Sequence, residues 1–366
     1  MIQHQKKPRV ALVHDYLREY GGAERVLEAL HEIYPDAPVF VAFFDKEALG
    51  IHAERFADWD IRQTWITNLP FYKKLFSPYR IFAKAAFESL DLSEYDLVIS
   101  SSNAYMAKAV KTKKGSHYCY CHTPPRSLYG YTTMTDWKKN PAIRMLGHLI
   151  NHFMRIWDFE VAQRVDHFIA NSQETKKRIN KFYRKDSVVI YPPVDLTEKY
   201  SPKKDEGYFL YVGRLAKSKN VDLAIKACTN LSLQLKLVGS GKGLDHLKNM
   251  AGPTIEFLGA VDDSKLHQLY AGAKAFIFPA EDEDFGIVPV EAMGHGVPVV
   301  CHRSGGPKET VIEGKTGLFF DQLTVESLMT QLEKIQTIRF DKKAIRKQAE
   351  KFSKDIFKKN IQKLVG

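Results

Sequence analysis

The sequence lacks the usual features of a membrane-spanning or secreted protein. No apolar run approaches the ~18 residues that a spanning helix needs. The stretch before His14 and Asp15 contains too few apolar residues for a signal peptide. Internal repeats and low-complexity segments are also missing. We therefore expect a cytoplasmic globular protein, and 366 residues at about 150 per domain are enough for two domains with separate cores.

Cysteine is scarce as well. The four cysteines are Cys119, Cys121, Cys228 and Cys301, and none belongs to a C-x-x-C pair. Cys119 and Cys121 share one face of a predicted strand next to His122, so a metal site there is an alternative. A structural zinc site usually needs four ligands at a recognisable spacing, and no second cluster exists in the sequence. The pattern therefore favours buried thiols.

Charge is unevenly balanced between the two signs. Lysine and arginine number 54 against 43 acidic residues, which gives a formal net charge of +11 and a pI near 9.2. Such a chain favours an anionic partner: nucleic acid, anionic lipid or a phosphorylated substrate. No nucleic-acid-binding module motif is present. Charge alone does not choose among these partners.

The region 274–317 contains the most informative pattern in the chain. A short apolar strand (275–278) is followed by an acidic loop and a helix that begins near Gly286. A second strand (297–301) then leads through a Gly-Gly turn into another helix. Strands that alternate with helices at this spacing predict a parallel α/β sheet, in which ligands bind outside the carboxyl ends of the strands.

Two carboxylates, Glu283 and Glu291, flank the predicted start of this helix. The helix dipole and the free amides there favour an anion, whereas a carboxylate accepts hydrogen bonds from hydroxyl groups. The pattern therefore indicates a ligand with both phosphates and sugar hydroxyls. The alternative is a helix with acidic residues near its N-terminus, which the dipole also favours. The free amides belong to Phe285, Gly286, Ile287 and Val288.

Three further strand ends are followed by residues suited to ligand binding. The strand at 9–14 precedes a Gly21-Gly22 turn, whose amides can approach a phosphate or can serve as a structural turn only. The strand at 117–121 is followed by His122 in a loop that two prolines restrain. The strand at 208–212 is followed by Arg214 and Lys219. The planar guanidinium of arginine and the mobile ammonium of lysine both suit a diphosphate.

Several motifs together resemble one family. E-D-F-G-I-V-P-V-E-A-M-G-H-G-V-P-V-V, then S-G-G-P-K-E and G-K-T-G-L, resembles the donor-binding segment of retaining GT-B glycosyltransferases. The likeness is to the glycosyltransferase family 4-like group, which contains sucrose synthases and many bacterial mannosyltransferases. H-T-P-P-R at 122–126 resembles the branch that builds O-antigens and other polysaccharides with mannose-like donors. Arg214 and Lys219 match the family's G-R-x-x-x-x-K pattern, with Asn220 where a glycine is common. Asparagine tolerates positive φ, so we expect the turn to survive.

The resemblance implies an α/β fold of the GT-B type, with two doubly wound Rossmann-like domains facing each other across a cleft. We expect an acceptor-side domain at 1–195 and a nucleotide-sugar donor domain at 196–344. A polar segment at 197–207 is the expected linker. A C-terminal helix at about 345–366 is expected to pack back on the first domain.

The resemblance also implies roles for individual residues. His122 and Glu283 are the expected catalytic residues, because they would hold hydroxyls of the donor sugar. No Asp-x-Asp motif stands where a metal site of this chemistry would be expected, so we expect neither a cofactor nor an essential metal. The expected donor-binding residues are Gly21, Gly22, Arg214, Lys219, Asp284, Phe285, Gly286, Ile287, Val288 and Glu291.

The resemblance implies that the protein transfers a hexose with retention to a hydroxyl of a polyprenyl-diphosphate-linked saccharide in cell-surface polysaccharide synthesis. The donor that the resemblance favours is GDP-mannose. Aromatic and basic residues interleave at 61–90, which suits peripheral contact with the inner face of an anionic membrane. The alternative for this segment is core aromatics with solvated lysines. Alternatives for the function are a nucleotide-sugar epimerase or a phosphorylase on the same fold, or a non-catalytic protein that binds nucleotide sugars or nucleic acid.

Overall fold

A computed structural model describes residues 8–131, 141–196, 204–241 and 243–366. The chain divides into two compact units. The first unit comprises Met1–Pro192 together with Phe357–Gly366, and the second comprises Pro193–Ile356. Most of the expected linker, at 197–203, lies outside the described residues.

The described part of the first unit contains a seven-stranded parallel sheet in the order β3-β2-β1-β4-β5-β6-β7. Its inner strands are buried along nearly their whole length, as in sheets covered on both faces. The strands are β1 (Val10–His14), β2 (Val39–Val41), β3 (Ile61–Gln63), β4 (Leu97–Ser102), β5 (Ser116–Cys121), β6 (His167–Ala170) and β7 (Ser187–Val189). The α-helices are α1 (Gly22–Ile33), α2 (Lys46–Leu49), α3 (Tyr72–Tyr79), α4 (Ala83–Glu88), α5 (Pro141–Gln163) and α6 (Gln173–Tyr183).

The second unit contains, over its described residues, a six-stranded parallel sheet in the order β10-β9-β8-β11-β12-β13. The strands are β8 (Phe209–Val212), β9 (Leu235–Val238), β10 (Ile255–Gly259), β11 (Ala275–Phe278), β12 (Val299–His302) and β13 (Gly317–Phe320). The helices are α7 (Val221–Asn230), α8 (Leu244–Met250), α9 (Asp263–Gly272), α10 (Ile287–Gly294), α11 (Pro307–Thr310), α12 (Val325–Thr337) and α13 (Lys342–Glu350).

Both sheets have the strand order of a doubly wound α/β fold, so the expected fold class is confirmed for each unit. In such a sheet the order reverses at one point, between β1 and β4 in the first unit and between β8 and β11 in the second. The loops that follow these four strands contain most of the expected site residues. The expected buried thiols are also confirmed, because all four cysteines are free and buried.

The C-terminal region differs from the expected single helix at 345–366. It forms α13 and then α14 (Lys354–Val365), and only Phe357–Gly366 belongs to the first unit. Helix α13 stays with the second unit because Gln348 donates to the Thr310 carbonyl over 3.1 Å and Arg346 donates to the Gly294 carbonyl over 2.6 Å. In α14, Phe357 and Ile361 are buried in the core of the first unit.

Candidate functional site

The carboxyl ends of β1, β4 and β5 bring three polar side chains together in the first unit. The Nδ1 atom of His14 lies 3.0 Å from Ser101 Oγ, and the same Oγ lies 2.8 Å from Nε2 of His122. All three side chains are buried. His14 ends β1, Ser101 is the penultimate residue of the adjacent parallel strand β4, and His122 follows directly after β5. Sequence analysis selected His122 but not the two residues that contact it.

Burial keeps the His122 ring neutral. It lowers the pKa of His122 to about 3. The backbone of His122 is fixed as well, because its amide donates to the Ser102 carbonyl over 3.0 Å and its carbonyl accepts from Thr175 Oγ1 over 3.2 Å. A neutral imidazole in a fixed position can exchange hydrogen bonds with a hydroxyl group, but it is not a charged ligand for phosphate.

The Gly21-Gly22 turn has a different hydrogen-bond arrangement from the expected one. Gly21 is the N-cap of α1, and its amide donates to Glu24 Oε2 over 2.8 Å, which is the only half of a capping box that a glycine N-cap allows. The Gly21 amide therefore has an acceptor within the protein, and its expected contact with the donor diphosphate stays a prediction. Gly22 is the first residue of the helix, at the end where backbone amides have no intrahelical acceptor.

Asp15 is a structural residue of this region that sequence analysis did not select. Its carboxylate accepts hydrogen bonds from the amides of Asn103, Tyr105 and Ala107, over 2.8 to 2.9 Å. Burial raises the pKa of Asp15, and these hydrogen bonds oppose that shift. Asp15 thus holds the loop after β4 against the loop after β1. The only sequence signal is its position immediately after a strand.

In the second unit, the loop after β8 carries Gly213 and Arg214 and packs closely on the loop after β9. A Cβ atom at Gly239 would lie 2.0 Å from the Gly213 carbonyl oxygen, which no side chain can tolerate. Gly213 itself has φ +152°, a left-handed conformation that favours glycine. The two glycines that follow β9, in the sequence L-V-G-S-G, are therefore explained by their close contact with the backbone of the loop after β8.

Asn220 adopts φ +50° at the start of α7, and its side chain donates to the Pro279 carbonyl over 3.2 Å. The expectation that asparagine can replace the family's usual glycine at this turn is confirmed. The side chain also ties the loop after β8 to the end of β11. This contact holds the turn that presents Lys219 beside the acidic loop 281–284.

Lys219 and Glu283 form an ion pair. Lys219 Nζ lies 2.5 Å from Glu283 Oε2, and both side chains are about one-fifth exposed. The backbone of Glu283 is fixed from the opposite side, because Gly306 donates to its carbonyl over 2.8 Å. A Cβ atom at Gly305 would lie 2.1 Å from that same oxygen. The backbone of the S-G-G motif at 304–306 thus packs directly against the acidic loop.

Helix α10 begins beside this pair. Its N-cap, Gly286, has φ +83°, and Ile287 and Val288 are its first two residues. Phe285 is buried and its ring lies edge-on to Phe352, so Phe285 can reach a ligand only through its backbone. Asp284 is half-buried in the same loop. The structure therefore places a cation, a carboxylate and a helix N-terminus at the carboxyl edge of one sheet.

Glu291 lies on α10, one turn further into the helix than Ile287, and is buried. Its Oε2 atom accepts a hydrogen bond from the Tyr270 hydroxyl over 3.0 Å. Its backbone carbonyl also lies 2.9 Å from Nδ1 of His295. Tyr270 and His295 are residues that the sequence did not suggest. Tyr270 fixes the carboxylate of Glu291, and His295 contacts its backbone.

No helix in the described ranges combines the length and the apolar character needed to cross a bilayer. Within the same ranges, no group of three or more His, Cys, Asp and Glu residues is arranged to hold a metal ion.

Comparison with known proteins agrees with this geometry. Residues 20–198 match the family described as Glycosyltransferase Family 4, and residues 195–352 match the family described as Glycosyl transferases group 1. A solved sucrose-phosphate synthase of Thermosynechococcus elongatus is similar with a TM-score of 0.72 at 18% identity, covering 98% of each chain. At this identity the likeness shows the fold.

Curated relatives match over shorter stretches. A sulfoquinovosyl transferase of Arabidopsis thaliana is 32% identical over 152 residues, which is 39% of this chain and 30% of that protein. A GDP-mannose-dependent alpha-mannosyltransferase of Mycolicibacterium smegmatis is 39% identical over 112 residues, which is 30% of this chain and 29% of that protein. The chain thus spans about a third of the length of these relatives.

The two sheets, their strand orders and the matches over 20–352 define a protein of the GT-B class. The chain belongs to the family 4-like glycosyltransferases of that class.

Proposed function

We propose that this protein transfers a hexose from a nucleoside-diphosphate sugar to an acceptor hydroxyl, with retention at the anomeric carbon. The observation that carries the proposal is the Lys219–Glu283 pair beside the N-terminus of α10. This arrangement offers positive charge for a diphosphate and an acceptor for sugar hydroxyls within a few ångströms. The family membership supports the reaction class, and the retaining outcome comes from the sequence resemblance.

Negative charge grows on the leaving diphosphate as the glycosidic bond breaks. In our proposal Arg214, Lys219 and the first amides of α10 stabilise that charge as preorganised donors. Glu291 accepts from the ribose hydroxyls, while Glu283 and His122 exchange hydrogen bonds with sugar hydroxyls. An oxygen of the leaving phosphate takes the proton of the acceptor hydroxyl, so no protein base is required.

For the donor we propose mannose carried by GDP. The H-T-P-P-R sequence and the similarity to a mannosyltransferase named for GDP-mannose support this choice. The sulfoquinovosyl transferase among the relatives supports a different sugar. The donor is therefore the first property to measure.

For the acceptor we propose a lipid-linked saccharide at an anionic membrane surface. The support comes mainly from α5 and less from 61–90. Six large apolar side chains of α5 are exposed on one face, among them Met145 at 76%, Leu149 at 56% and Phe153 at 49%. On the opposite face Met154 and Val161 are buried in the first unit's core. The segment 61–90 adds exposed Phe71 and Phe82, but its Phe87 is buried.

An exposed apolar helix face on a chain with a net charge of +11 fits an interfacial contact with anionic lipid. Flotation with vesicles tests this proposal. Leu149→Ser and Phe153→Ser should weaken binding to phosphatidylglycerol vesicles, whereas Ile51→Ser, at an exposed apolar residue elsewhere in the same unit, should not. Equal binding by all three variants would contradict the proposed face.

The central experiment measures release of nucleoside diphosphate from a panel of nucleotide sugars. Release from one donor by the wild type, lost in Glu283→Ala but kept in the control Glu326→Ala on α12, would support transfer at this site. Conversion of a nucleotide sugar to its epimer would favour the epimerase alternative. Binding to no nucleotide sugar, together with salt-sensitive binding to nucleic acid, would reject the proposal.

A further inference from the structure

Five residues of the first unit form one continuous polar chain. The Gly21 amide donates to Glu24 Oε2 over 2.8 Å, and Glu24 Oε1 lies 3.5 Å from His14 Nε2. His14 Nδ1 lies 3.0 Å from Ser101 Oγ, which lies 2.8 Å from His122 Nε2. The side chains of Glu24, His14, Ser101 and His122 are between 0% and 7% exposed. The chain therefore connects the glycine turn to the expected catalytic histidine away from solvent.

The direction of the hydrogens along this chain follows from its first member. A carboxylate can only accept, so Glu24 favours a proton on the facing Nε2 atom of His14. A neutral His14 then has a lone pair on Nδ1 and accepts the hydroxyl hydrogen of Ser101. The Ser101 oxygen is left to accept, and it receives the proton on His122 Nε2.

We propose that Glu24, His14 and Ser101 are positioning residues that hold His122 as its Nε2–H tautomer. Nδ1 of His122 is then the acceptor atom. Among the described residues, the hydrogen bonds of the His122 ring go only to Ser101, so Nδ1 remains for a ligand. The identity of that ligand, a sugar hydroxyl that donates to Nδ1, rests on the function proposed above, whereas the proton positions do not.

An isosteric change at Glu24, three contacts away from His122 in this chain, should reverse the direction of its hydrogen bonds. In Glu24→Gln the oxygen must still accept from the Gly21 amide, so the amide NH2 group faces His14 Nε2. That group donates, so the His14 proton moves to Nδ1 and is donated to Ser101. Ser101 then donates its hydrogen to His122 Nε2, and the His122 proton moves to Nδ1. The acceptor atom offered to a ligand becomes a donor.

Nitrogen NMR of ring-labelled histidine tests this directly, with the His122→Gln spectrum assigning the resonance among the 13 histidines. The wild type should show a protonated Nε2 and an unprotonated Nδ1 at His122, and Glu24→Gln should show the reverse. Glu28→Gln on the same helix is the matched control, because Glu28 contacts Tyr20 and Arg55 instead of the chain. A protonated Nδ1 in the wild type would overturn the proposal.

A second comparison tests whether Ser101 transmits the change. In a Ser101→Ala background, Glu24→Gln should leave the His122 tautomer unchanged, because the hydroxyl that links the two histidines is gone. A shift of the same size with and without Ser101 would contradict transmission through the hydroxyl. These spectra need no substrate, so they stand even if the protein proves not to be a transferase.

Activity gives the functional consequence. With GDP-mannose as the probe, Glu24→Gln should lower kcat/KM at least about tenfold, because a ligand hydroxyl would meet a donor instead of an acceptor. Glu28→Gln should leave it within about twofold. A reversed tautomer with unchanged kcat/KM would overturn the assignment of Nδ1 to the ligand.

Discussion

Lys219 Nζ lies 2.5 Å from Glu283 Oε2, so the cation expected to bind the diphosphate and the carboxylate expected to bind the sugar are bonded to each other. A ligand phosphate near Lys219 would compete with Glu283 for the ammonium group. Donor binding should therefore release the Glu283 oxygen for a sugar hydroxyl. The pair couples the recognition of two parts of one ligand.

Glu283→Gln should separate these two roles. Without the carboxylate, Lys219 is no longer neutralised, so binding of a free nucleoside diphosphate should be unchanged or up to about tenfold tighter. Sugar transfer should fall about 100-fold or more, because the amide replaces an acceptor of sugar hydroxyls. Calorimetry with GDP and initial rates with GDP-mannose measure the two effects.

Lys219→Met serves as the opposite variant, and GDP should bind it about tenfold more weakly or worse. If both substitutions weakened GDP binding equally, the two residues would not have the separate roles assigned to them.

Tyr270→Phe should affect donor binding more than catalysis. The substitution removes the hydroxyl that donates to Glu291, so the carboxylate loses one of the groups that fix it. We expect KM for the donor to rise about threefold to tenfold with kcat nearly unchanged, because the ribose is bound alike in the ground and transition states. Steady-state kinetics measure the effects on KM and kcat separately. A selective loss of kcat would argue against a ribose role for Glu291.

The buried pair of Lys108 and Asp158 should be important for stability. Their charged atoms lie 2.6 Å apart with almost no exposure, and Asp158 also accepts from the Tyr129 hydroxyl over 2.9 Å. Burial disfavours the charge on Lys108, but Asp158 outweighs this and the pKa of Lys108 is raised. Asp158→Asn should lower the free energy of unfolding by about 3–5 kcal/mol, because it leaves a buried charge unpaired.

The exposed pair of Lys226 and Asp222, 3.6 Å apart on α7, is the control for that measurement. Asp222→Asn should cost less than about 0.5 kcal/mol in urea unfolding. Similar losses for the two variants would mean that burial does not determine the cost.

Stability should fall as the solution becomes mildly acidic. Burial lowers the pKa of His117 to about 4 and that of His122 to about 3, against about 6.5 in the unfolded chain. Below pH 6.5 the unfolded state therefore binds protons that the folded state does not, and stability present above that pH is lost. Each histidine should contribute about 1.2 kcal/mol between pH 6 and pH 5.

Urea unfolding at a series of pH values measures how the free energy of unfolding depends on pH. His117→Gln should reduce this dependence by the contribution of one histidine. An unchanged slope in that variant would show that His117 is charged in the folded protein.

Transfer should not depend on a divalent ion. Arg214, Lys219 and the first turn of α10 supply positive charge, so dialysis against EDTA should leave release of GDP from GDP-mannose within about twofold. Loss of activity that Mg²⁺ or Mn²⁺ restores would contradict this expectation.

The sequence predicted the sheets well, because buried parallel strands are short apolar runs separated by helices. It also predicted the positive φ of Asn220, since few residues accept that conformation. Its predicted site residues follow from strand ends, where parallel sheets collect ligand-binding groups. Their roles remain predictions.

Contacts between distant segments could not be predicted from the sequence. The Ser101 hydroxyl lies between two histidines from different strands, and nothing local distinguishes it from Ser100 or Ser102. The capping role of Glu24 was similarly hidden, because an acidic residue in a first turn has several uses. The exposed face of α5 was missed because Leu, Met and Phe at helical spacing resemble a buried stripe.

The burial of Phe357 and Ile361 in the first unit has a consequence for the newly made protein. Ribosomes add about 5–20 residues per second, so the 164 residues of Pro193–Ile356 take about ten to thirty seconds to synthesise. During that time the pocket that receives α14 remains open, although every strand of its sheet has been translated. The first unit of the nascent chain should therefore need protection from aggregation for longer than the second unit.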